Sequence, residues 1–356
     1  MSYFKNVLSD GESLFKNDDA LDLEWVPKVI PFRESQQSRI ADCIKPLLAG
    51  RNGKNLFVYG DPGIGKTAAT RWVLRDLEEN TDEVAALYVN CWQKNSSYKV
   101  LIDICHQLGY KFTQNKNTDE IFAVIRNMLN KKAAVFVFDE VDKIEDFDFL
   151  YSIMNDIYKK SIVLITNYKD WLTGIEARVR SRLMPEMLEF PKYNATEIEG
   201  ILRQRVEYAF VSGVWPDNLI SLIAKKAEEF GDIRAGIFML RESGLAAEND
   251  SSKKIEEKHV TSTFSKVNEQ TIQKSTDLEE DSQLILDVIK QNSPRKIGEL
   301  FNLYKEQGGG QTYKTFQRKI MKLEKSKFIT TNKIVGGTEG TTTIITYRDN
   351  KKLTEF

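Results

Sequence analysis

The first half of the sequence predicts an α/β fold in which parallel strands alternate with helices. Four continuous apolar runs are separated by longer amphipathic stretches, and they cover residues 56–59, 85–89, 133–138 and 161–166. Runs of this kind are typical of strands that are buried on both faces of a parallel sheet. A glycine-rich motif directly follows the first run, and that order is typical of a phosphate-binding loop.

Composition and charge exclude several other classes of protein. The 356 residues suffice for two or three domains, and 41% hydrophobic with 29% charged residues predicts ordinary globular domains. No apolar run approaches the roughly 20 residues of a membrane-spanning helix. The acidic first residues do not resemble a secretion signal, so we expect a cytoplasmic protein without membrane contact. Three cysteines without metal-ligand spacing and only two histidines exclude a zinc site.

The motif at residues 60–67 fits the phosphate-loop template G-x-x-x-x-G-K-[ST]. Its glycines allow backbone N–H groups to point at phosphate oxygens, and the dipole of the following helix favours the same negative charge. Lys66 is expected to hold the β- and γ-phosphates, and the Thr67 hydroxyl to bind Mg²⁺. The nucleotide-binding residues predicted here are Gly60, Asp61, Pro62, Gly63, Ile64, Gly65, Lys66, Thr67 and Ala68.

A metal carboxylate and a base are expected at the end of another buried strand. Asp139 and Glu140 directly follow the run 133–138. Asp139 suits the Mg²⁺ side, and Glu140 suits a base that polarises the attacking water. Asn167 follows the run 161–166, where it would stand beside the γ-phosphate or serve only in a turn. Arginines from outside the loop would stabilise the anionic transition state, and the candidates are Arg178, Arg180, Arg182 and Arg234.

The pattern changes after Pro191. Apolar residues then follow helical spacing, and Gly231 is a candidate C-terminal cap. Polar stretches at residues 248–258 and 269–283 are candidate boundaries, and a new helical pattern begins at Leu284. Residues 328–347 alternate β-branched residues around three glycines, which predicts a β-hairpin with a glycine-rich tip.

The C-terminal segment is basic although the whole chain has a net charge of −1. Between residues 290 and 352, fourteen basic residues stand against five acidic ones, a difference of +9. Helical spacing places Tyr313, Phe316, Ile320 and Leu323 in one buried stripe, and Lys314, Arg318, Lys322 and Lys325 on another face. This pattern is typical of a recognition helix in the major groove of DNA, and a solvated lysine face is the alternative.

These residues together resemble an AAA+ ATPase. More narrowly, the chain resembles the archaeal origin-recognition and cell-division-control-type replication initiators through IPFRE (30–34), YVNC (88–91), FDEVD (138–142), FPKYNATE (190–197) and GDIRAGIFMLRESGLAAE (231–248). The resemblance implies an AAA+ base with a parallel sheet at residues 1–192, a small helical lid at 193–273 and a winged-helix DNA-binding domain at 274–356.

The resemblance also implies roles for single residues. Asn167 matches sensor one, Arg234 matches the lid arginine, and Arg182 matches the finger that reaches a neighbouring subunit's nucleotide, with Arg180 as its competitor. The remaining nucleotide-binding residues are Pro31, Phe32 and Arg33 near the adenine base, and Tyr193. The implied DNA contacts are Lys111 and Lys116 in a helical insertion between residues 98 and 129, and Lys314, Arg318, Lys319, Lys322 and Lys333. The hairpin tip departs from the family because it carries Glu339 and no arginine.

The function that the resemblance implies is an ATP-dependent switch that binds double-stranded origin DNA and helps to load the replicative helicase. Its cofactors would be ATP or ADP with Mg²⁺, hydrolysis would be slow and regulatory, and other initiator subunits would be partners. Such a protein would be nucleoid-associated within the cytoplasm. Two alternatives remain: a signalling-type ATPase that acts through protein partners, and a DNA-stimulated remodelling motor.

Overall fold

The computed structural model describes residues 13–276, 280–325, 328–334 and 342–347. Contacts divide the chain into two compact units, Met1–Phe264 and Ser265–Phe356. The predicted base and most of the predicted lid fall in the first unit, and the predicted winged-helix segment falls in the second. The division into three domains at residues 192 and 273 therefore stays a prediction.

A five-stranded parallel sheet forms the centre of the first unit. Its strands are β1 (Leu56–Tyr59), β2 (Val84–Asn90), β3 (Ala133–Asp139), β4 (Lys160–Thr166) and β5 (Glu186–Glu189). The strand order is β2-β3-β4-β1-β5, and each neighbouring pair is parallel. The structure therefore confirms the four predicted strands, and the carboxyl ends of all five strands meet at one edge.

Helices cover both faces of this sheet and make up the region that follows it. They are α1 (Glu34–Leu48), α2 (Lys66–Asn80), α3 (Ser97–Gln107), α4 (Thr118–Leu129), α5 (Asp148–Asp156), α6 (Ala177–Leu183), α7 (Ala195–Ala209), α8 (Asp217–Phe230), α9 (Ile233–Asn249) and α10 (Glu257–Thr276). Alternate residues of β3 serve opposite faces: Phe136 packs with α3 to α6, and Val135 packs with α1 and α2. A strand buried on both faces explains the continuous apolar run.

The sequence does not predict β5. Its four residues alternate between partly buried and exposed positions, because the strand lies at the edge of the sheet beside β1. An edge strand that is half-solvated lacks the continuous apolar run by which the other strands were identified. The predicted helical region after Pro191 is confirmed, and α8 ends at Gly231, whose φ of 65° is the left-handed conformation of a C-terminal cap.

The described part of the second unit adds three helices and a small antiparallel sheet. Its elements are α11 (Glu280–Asn292), β6 (Arg295–Lys296), α12 (Ile297–Glu306), α13 (Tyr313–Lys325), β7 (Ile329–Ile334) and β8 (Thr342–Tyr347). The strand order is β6-β8-β7, with β7 and β8 forming the predicted hairpin. This order of elements is compatible with a winged helix, and that assignment stays a prediction. The glycine-rich tip with Glu339 lies outside the described residues.

Helix α13 buries the predicted stripe with one exception. Phe316, Ile320 and Leu323 are 0%, 2% and 1% exposed, whereas Tyr313 is 39% exposed. The placement of Tyr313 in the buried stripe is therefore wrong: it lies in the first turn and only meets Phe301 edge-on at 5.0 Å. Within the described residues, no helix combines the length and the apolar character that crossing a bilayer requires.

Replacing Phe316 by Ala should destabilise the second unit by about 3–5 kcal/mol, because a buried ring leaves a cavity between α12 and α13. The matched change Tyr313→Ala should cost only about 1 kcal/mol, the value of one edge-on aromatic contact. Hydrogen exchange of the α12 and α13 amides in the full-length chain measures both. Equal effects of the two changes would contradict this assignment of the buried face.

Candidate nucleotide-binding site

The phosphate loop connects β1 to α2 at the carboxyl edge of the sheet. Gly63 and Gly65 have positive φ angles of 74° and 87°. A Cβ atom at these positions would lie 1.9 Å from Asp232 Oδ1 and 2.7 Å from the Tyr193 hydroxyl. Because neighbouring side chains press on the loop from outside, only glycine permits this backbone path. The α2 helix begins directly after Gly65, so its N-terminus faces the loop.

Lys66 is the first residue of α2, and its side chain is almost fully buried. Its Nζ donates hydrogen bonds of 2.8 Å to the carbonyl oxygens of Gly60 and Asp61 and to Oδ1 of Asn167. Burial lowers the pKa of Lys66 to about 8, and the Asp139 carboxylate acts in the opposite direction. The structure thus brings the predicted phosphate lysine and the predicted sensor asparagine together.

Asp139 lies at the end of β3 and is 3% exposed. Its Oδ2 accepts hydrogen bonds from Thr67 Oγ1 at 2.6 Å and from the Tyr88 hydroxyl at 2.8 Å. Its Oδ1 accepts one from the backbone N–H of Glu140 at 2.8 Å. Mg²⁺ prefers oxygen ligands and usually takes one or two carboxylates together with phosphate and water. The hydroxyl of Thr67 and the carboxylate of Asp139 therefore fit a Mg²⁺ site.

Glu140 follows Asp139 with a φ of 53°, in the left-handed region of the backbone. This conformation is uncommon for a residue with a side chain and is often found at functional sites. Burial raises the pKa of Glu140, and the carboxylates of Asp139 and Asp142 add to this effect. A carboxylate with a raised pKa beside the candidate metal ligand suits a base that accepts a proton from water.

Arg234 enters the site from the first turn of α9. Its Nη2 bonds Asp232 Oδ2 at 2.7 Å, and its backbone N–H bonds Asp232 Oδ1, the N-cap of the helix, at 2.9 Å. Asp232 in turn lies against Gly63 of the phosphate loop. The lid therefore rests on the loop through Asp232. The positive charge of Arg234 adds to the lowering of the Lys66 pKa by burial, and it partly offsets the raised pKa of Glu140.

Arg33 holds the phosphate loop in place. Its Nε donates to the Ile64 carbonyl oxygen at 3.2 Å, Nη1 to that of Phe32 at 3.0 Å and Nη2 to that of Pro191 at 2.7 Å. Its guanidinium carbon lies 3.7 Å from the centroid of the Tyr193 ring. Since all three nitrogens are bonded to backbone and the side chain is 2% exposed, Arg33 positions the loop. Direct contact of Arg33 with a nucleotide stays a prediction that this geometry does not favour.

Pro31 and Phe32 lie where the base meets the lid. Phe32 has a φ of 62°, and its ring packs so closely on Gly200 of α7 that a Cβ there would approach it to 2.8 Å. Tyr193 is buried and covers Gly65. Of the other predicted loop residues, Asp61 pairs with Lys192 at 3.0 Å, Pro62 is exposed, Ile64 is buried and Ala68 lies in the first turn of α2. The predicted adenine contacts of Pro31 and Phe32 remain untested.

The clustered arginines of α6 lie away from this site. Arg182 lines a cleft of about 430 Å³ with Asn55, which precedes β1, and Lys160, which opens β4. In a parallel sheet these positions belong to the amino edge, opposite Lys66. Arg182 is exposed and lies 4.9 Å from the Tyr151 ring centroid, and Arg180 Nη1 bonds the Thr173 carbonyl oxygen at 3.0 Å. Arg182 therefore lies away from the nucleotide site of its own chain, and its role as a finger stays a prediction.

The predicted DNA-binding residues fall in both units. Lys111 is exposed and Lys116 partly buried in the loop between α3 and α4, the two helices of the predicted insertion. Lys314 and Arg318 are exposed on α13, and Lys319 is partly buried. Lys322 lies in α13 and Lys333 in β7, and both side chains lie outside the described part of the chain. The structure supports an exposed basic face on α13 but does not test its ligand.

Sequence reasoning assigned no role to Tyr88 and Asp232. Tyr88 lies in the YVNC segment, and the register of β2 against β3 brings its hydroxyl to Asp139. Asp232 directly precedes the apolar positions of α9, and aspartate is a preferred N-cap residue, so this role could have been predicted from the sequence. The contact of Asp232 with Gly63 could not be predicted, because the two residues are far apart in the chain.

The fold and this site define a P-loop ATPase of the AAA+ class. Residues 50–169 match the family described as AAA domain, and residues 199–265 match the Cdc6 AAA+ ATPase-type lid domain. Both matches coincide with parts of the first unit that form the site: the phosphate loop with Asp139 and Asn167, and the lid that carries Arg234.

Relatives narrow the class to one family. The ORC1-type DNA replication protein 1 of Archaeoglobus fulgidus is 32% identical over 326 residues, which cover 86% of this chain and 80% of the relative. The ORC1-type DNA replication protein of Thermococcus kodakarensis is 31% identical, covering 85% and 79%. This chain belongs to the family of ORC1-type DNA replication proteins.

Solved structures show the same architecture. The Aeropyrum pernix ORC1 protein in complex with DNA is 27% identical, with a TM-score of 0.72 over 94% of this chain and 93% of that one. The RuvB Holliday junction branch migration motor of Thermotoga maritima is 16% identical, with a TM-score of 0.52 over 91% and 95%. At that identity the second likeness concerns the fold alone.

Asp232→Asn should tighten ADP binding roughly threefold to tenfold, the range that about 1 kcal/mol covers. The change keeps the N-cap acceptor but removes a negative charge beside the phosphate loop and releases Arg234. Titration calorimetry measures the affinity. As a control, Asp232→Ala also removes the N-cap and should lower stability by about 1 kcal/mol, unlike Asn. Unchanged or weaker ADP binding by the Asn variant would show that Asp232 does not compete with phosphate.

Proposed function

We propose that this protein is an ATP-dependent DNA-binding replication initiator that recognises origin DNA and helps to load the replicative helicase. ATP hydrolysis would be slow and would serve as a switch. The observation that carries this proposal is the convergence of Lys66, Asp139, Glu140 and Arg234 at one edge of a sheet, in a chain with a separate basic helix. Family membership and the DNA complex of the Aeropyrum pernix relative support the DNA-binding part.

Each residue of the site would have a different role in phosphoryl transfer. Lys66 and the N-terminus of α2 would bind the phosphates, and Asn167, which accepts a hydrogen bond from Lys66, would orient the γ-phosphate or the water. Mg²⁺ held by Thr67 and Asp139 would supply the positive charge that phosphoryl transfer needs. Glu140 would accept the proton of the attacking water. Arg234 would sense the nucleotide from the lid.

The position of Arg182 supports slow hydrolysis by the isolated chain. An arginine supplied to the transition state is worth about 10³ to 10⁵ in rate. Arg182 lies at the amino edge of its own sheet, beside Asn55 and Lys160, and so would act only on the nucleotide of another subunit. Assembly with a second initiator subunit would therefore switch the ATPase on.

The C-terminal unit would supply DNA binding through α13. Phe316, Ile320 and Leu323 anchor one face of this helix in the core, which leaves Lys314 and Arg318 exposed on another. A helix with one buried and one cationic face fits the major groove, where lysine and arginine neutralise phosphates. Origin preference would require base contacts in addition.

Glu140→Gln should bind ATP with nearly wild-type affinity and hydrolyse it at least about 100-fold more slowly, because the amide cannot accept the proton. Single-turnover hydrolysis with radiolabelled ATP measures the chemical step, and calorimetry measures binding. Glu145→Gln, a change at a nearby carboxylate outside the site, is the control. A wild-type single-turnover rate in the Glu140 variant would remove it as the base.

Replacing Lys314, Arg318 and Lys322 together by Ala should lower the slope of log affinity against log salt by roughly two to three, since each phosphate contact contributes about 0.9. Fluorescence anisotropy with an origin duplex gives the slope. The matched control replaces three exposed lysines of the first unit, Lys16, Lys28 and Lys225, and should keep the slope. If both variants behave like the wild type, the DNA contacts lie elsewhere.

A further inference from the structure

Three loops at the amino edge of the parallel sheet carry an unusual concentration of positive charge. They precede β1, β3 and β4, which are neighbours in the order β3-β4-β1, and they cover residues 50–55, 130–132 and 158–160. Together they contain six cations and no carboxylate: Arg51, Lys54, Lys131, Lys132, Lys159 and Lys160. The whole chain has a net charge of −1, so these three loops are much more basic than the chain as a whole. They lie at the edge of the sheet opposite the nucleotide site.

We call four of these cations, Arg51, Lys131, Lys132 and Lys159, together with Tyr158, the basic rim. All five side chains are exposed. Glu186, which opens β5, pairs with Lys54 at 2.9 Å, and Asp156 pairs with Arg126 at 3.9 Å. Two exposed carboxylates, Asp82 and Glu83, precede β2 at the same edge, next to the loop that carries Lys131 and Lys132. Over the described ranges, none of the four rim cations has a carboxylate within ion-pair distance. Their charge is therefore available to an external anion.

Backbone hydrogen bonds fix the three loops to one another. The Gly53 N–H donates to the Lys160 carbonyl oxygen at 3.0 Å, and the Ala134 N–H donates to that of Lys159 at 3.0 Å. The Tyr158 N–H donates to Asn130 Oδ1 at 3.1 Å, which links the second and third loops directly. The rim therefore presents its cations from a fixed backbone, so little backbone entropy is lost when a ligand binds.

An aromatic ring stands among these cations. Tyr158 is 72% exposed, although burying a tyrosine ring would stabilise the fold. Surfaces that bind single-stranded nucleic acid combine backbone-tracking cations with an exposed ring on which an unpaired base stacks. An acidic peptide would satisfy the lysines but would leave the ring without a partner. The combination therefore favours a nucleic-acid strand over an acidic protein.

We propose that the basic rim is a second nucleic-acid surface, which binds a single strand through its phosphates and stacks one base on Tyr158. It goes beyond the proposed function because it lies in the first unit, at the edge of the sheet opposite Lys66, and is independent of α13. Recognition of this kind does not depend on sequence. Such a surface suits a strand that has been separated from its duplex.

Replacing Lys131, Lys132 and Lys159 by Ala tests the electrostatic part. Binding of a labelled oligo-dT strand is measured by anisotropy over a salt series, and the slope of log affinity against log salt should fall by about two, at roughly 0.7 per contact for a single strand. The variant at Lys16, Lys28 and Lys225 is the control with equal charge loss. Wild-type ADP affinity in both variants shows that the fold is intact.

Tyr158 provides the second arm. Tyr158→Ala should weaken oligo-dT binding about tenfold, whereas Tyr158→Phe, which keeps the stacking face, should bind as the wild type does. A duplex of the same length should lose much less affinity in the Ala variant, because its bases are already stacked. The stacking role would be overturned if the Ala variant lost as much affinity for the duplex as for oligo-dT, or if the Ala and Phe variants lost equal affinity for oligo-dT.

Two further measurements separate this proposal from the proposed function. In the first, the rim changes are added to the Lys314, Arg318 and Lys322 variant, and they should lower the salt slope of oligo-dT binding by as much as they do in the wild type. In the second, the rim changes are made alone, and they should leave the preference for the origin duplex unaltered. Loss of origin preference in the rim variants would contradict a separate surface. Wild-type oligo-dT binding combined with lost polyglutamate binding would overturn the proposal in favour of an acidic protein partner.

Discussion

Burying the Lys66 ammonium costs free energy because water no longer solvates it, so its surroundings must supply acceptors. The carbonyl oxygens of Gly60 and Asp61 and the side chain of Asn167 do so at 2.8 Å each. Two of these acceptors come from the loop after β1 and one from the end of β4, which are neighbouring parallel strands. The position of the lysine thus depends on the sheet. The candidate metal ligands and the candidate base lie at the same edge of that sheet.

The two edges of the sheet have different chemistry. At the carboxyl edge, Asp139 and Glu140 surround a buried lysine and the lid adds Arg234, so charges of both signs are balanced in a protected site. At the amino edge, Arg51, Lys131 and Lys159 are exposed, and among the residues that the structure describes none of the three forms an ion pair, although Asp82 and Glu83 lie at the same edge. One sheet can therefore process a nucleotide at one edge and hold a polyanion at the other.

Much of the nucleotide site could be predicted from the sequence because its parts are contiguous: the loop 60–67 and the Asp139–Glu140 pair each follow an apolar strand. Contacts between side chains and segments that are distant in the sequence could not be predicted. Asp232 reaches Gly63 only after α9 docks on the loop, and the partners of Arg33 are backbone oxygens from separate segments. Strand β5 was missed because an edge strand lacks the continuous apolar run. Tyr313 was placed in the buried stripe by helical spacing, but it opens α13 and is 39% exposed there.

The most direct test of the initiator function is fluorescence anisotropy of the full-length chain on two duplexes, at about 150 mM salt, where nonspecific attraction is screened. One duplex carries repeats from a replication origin of the source genome, and the other has random sequence. Each is measured with ATP and with ADP. Tighter binding to the origin duplex, stronger with ATP, is the predicted result. Equal binding to both duplexes, or no binding, would contradict origin recognition and leave only the nucleotide site.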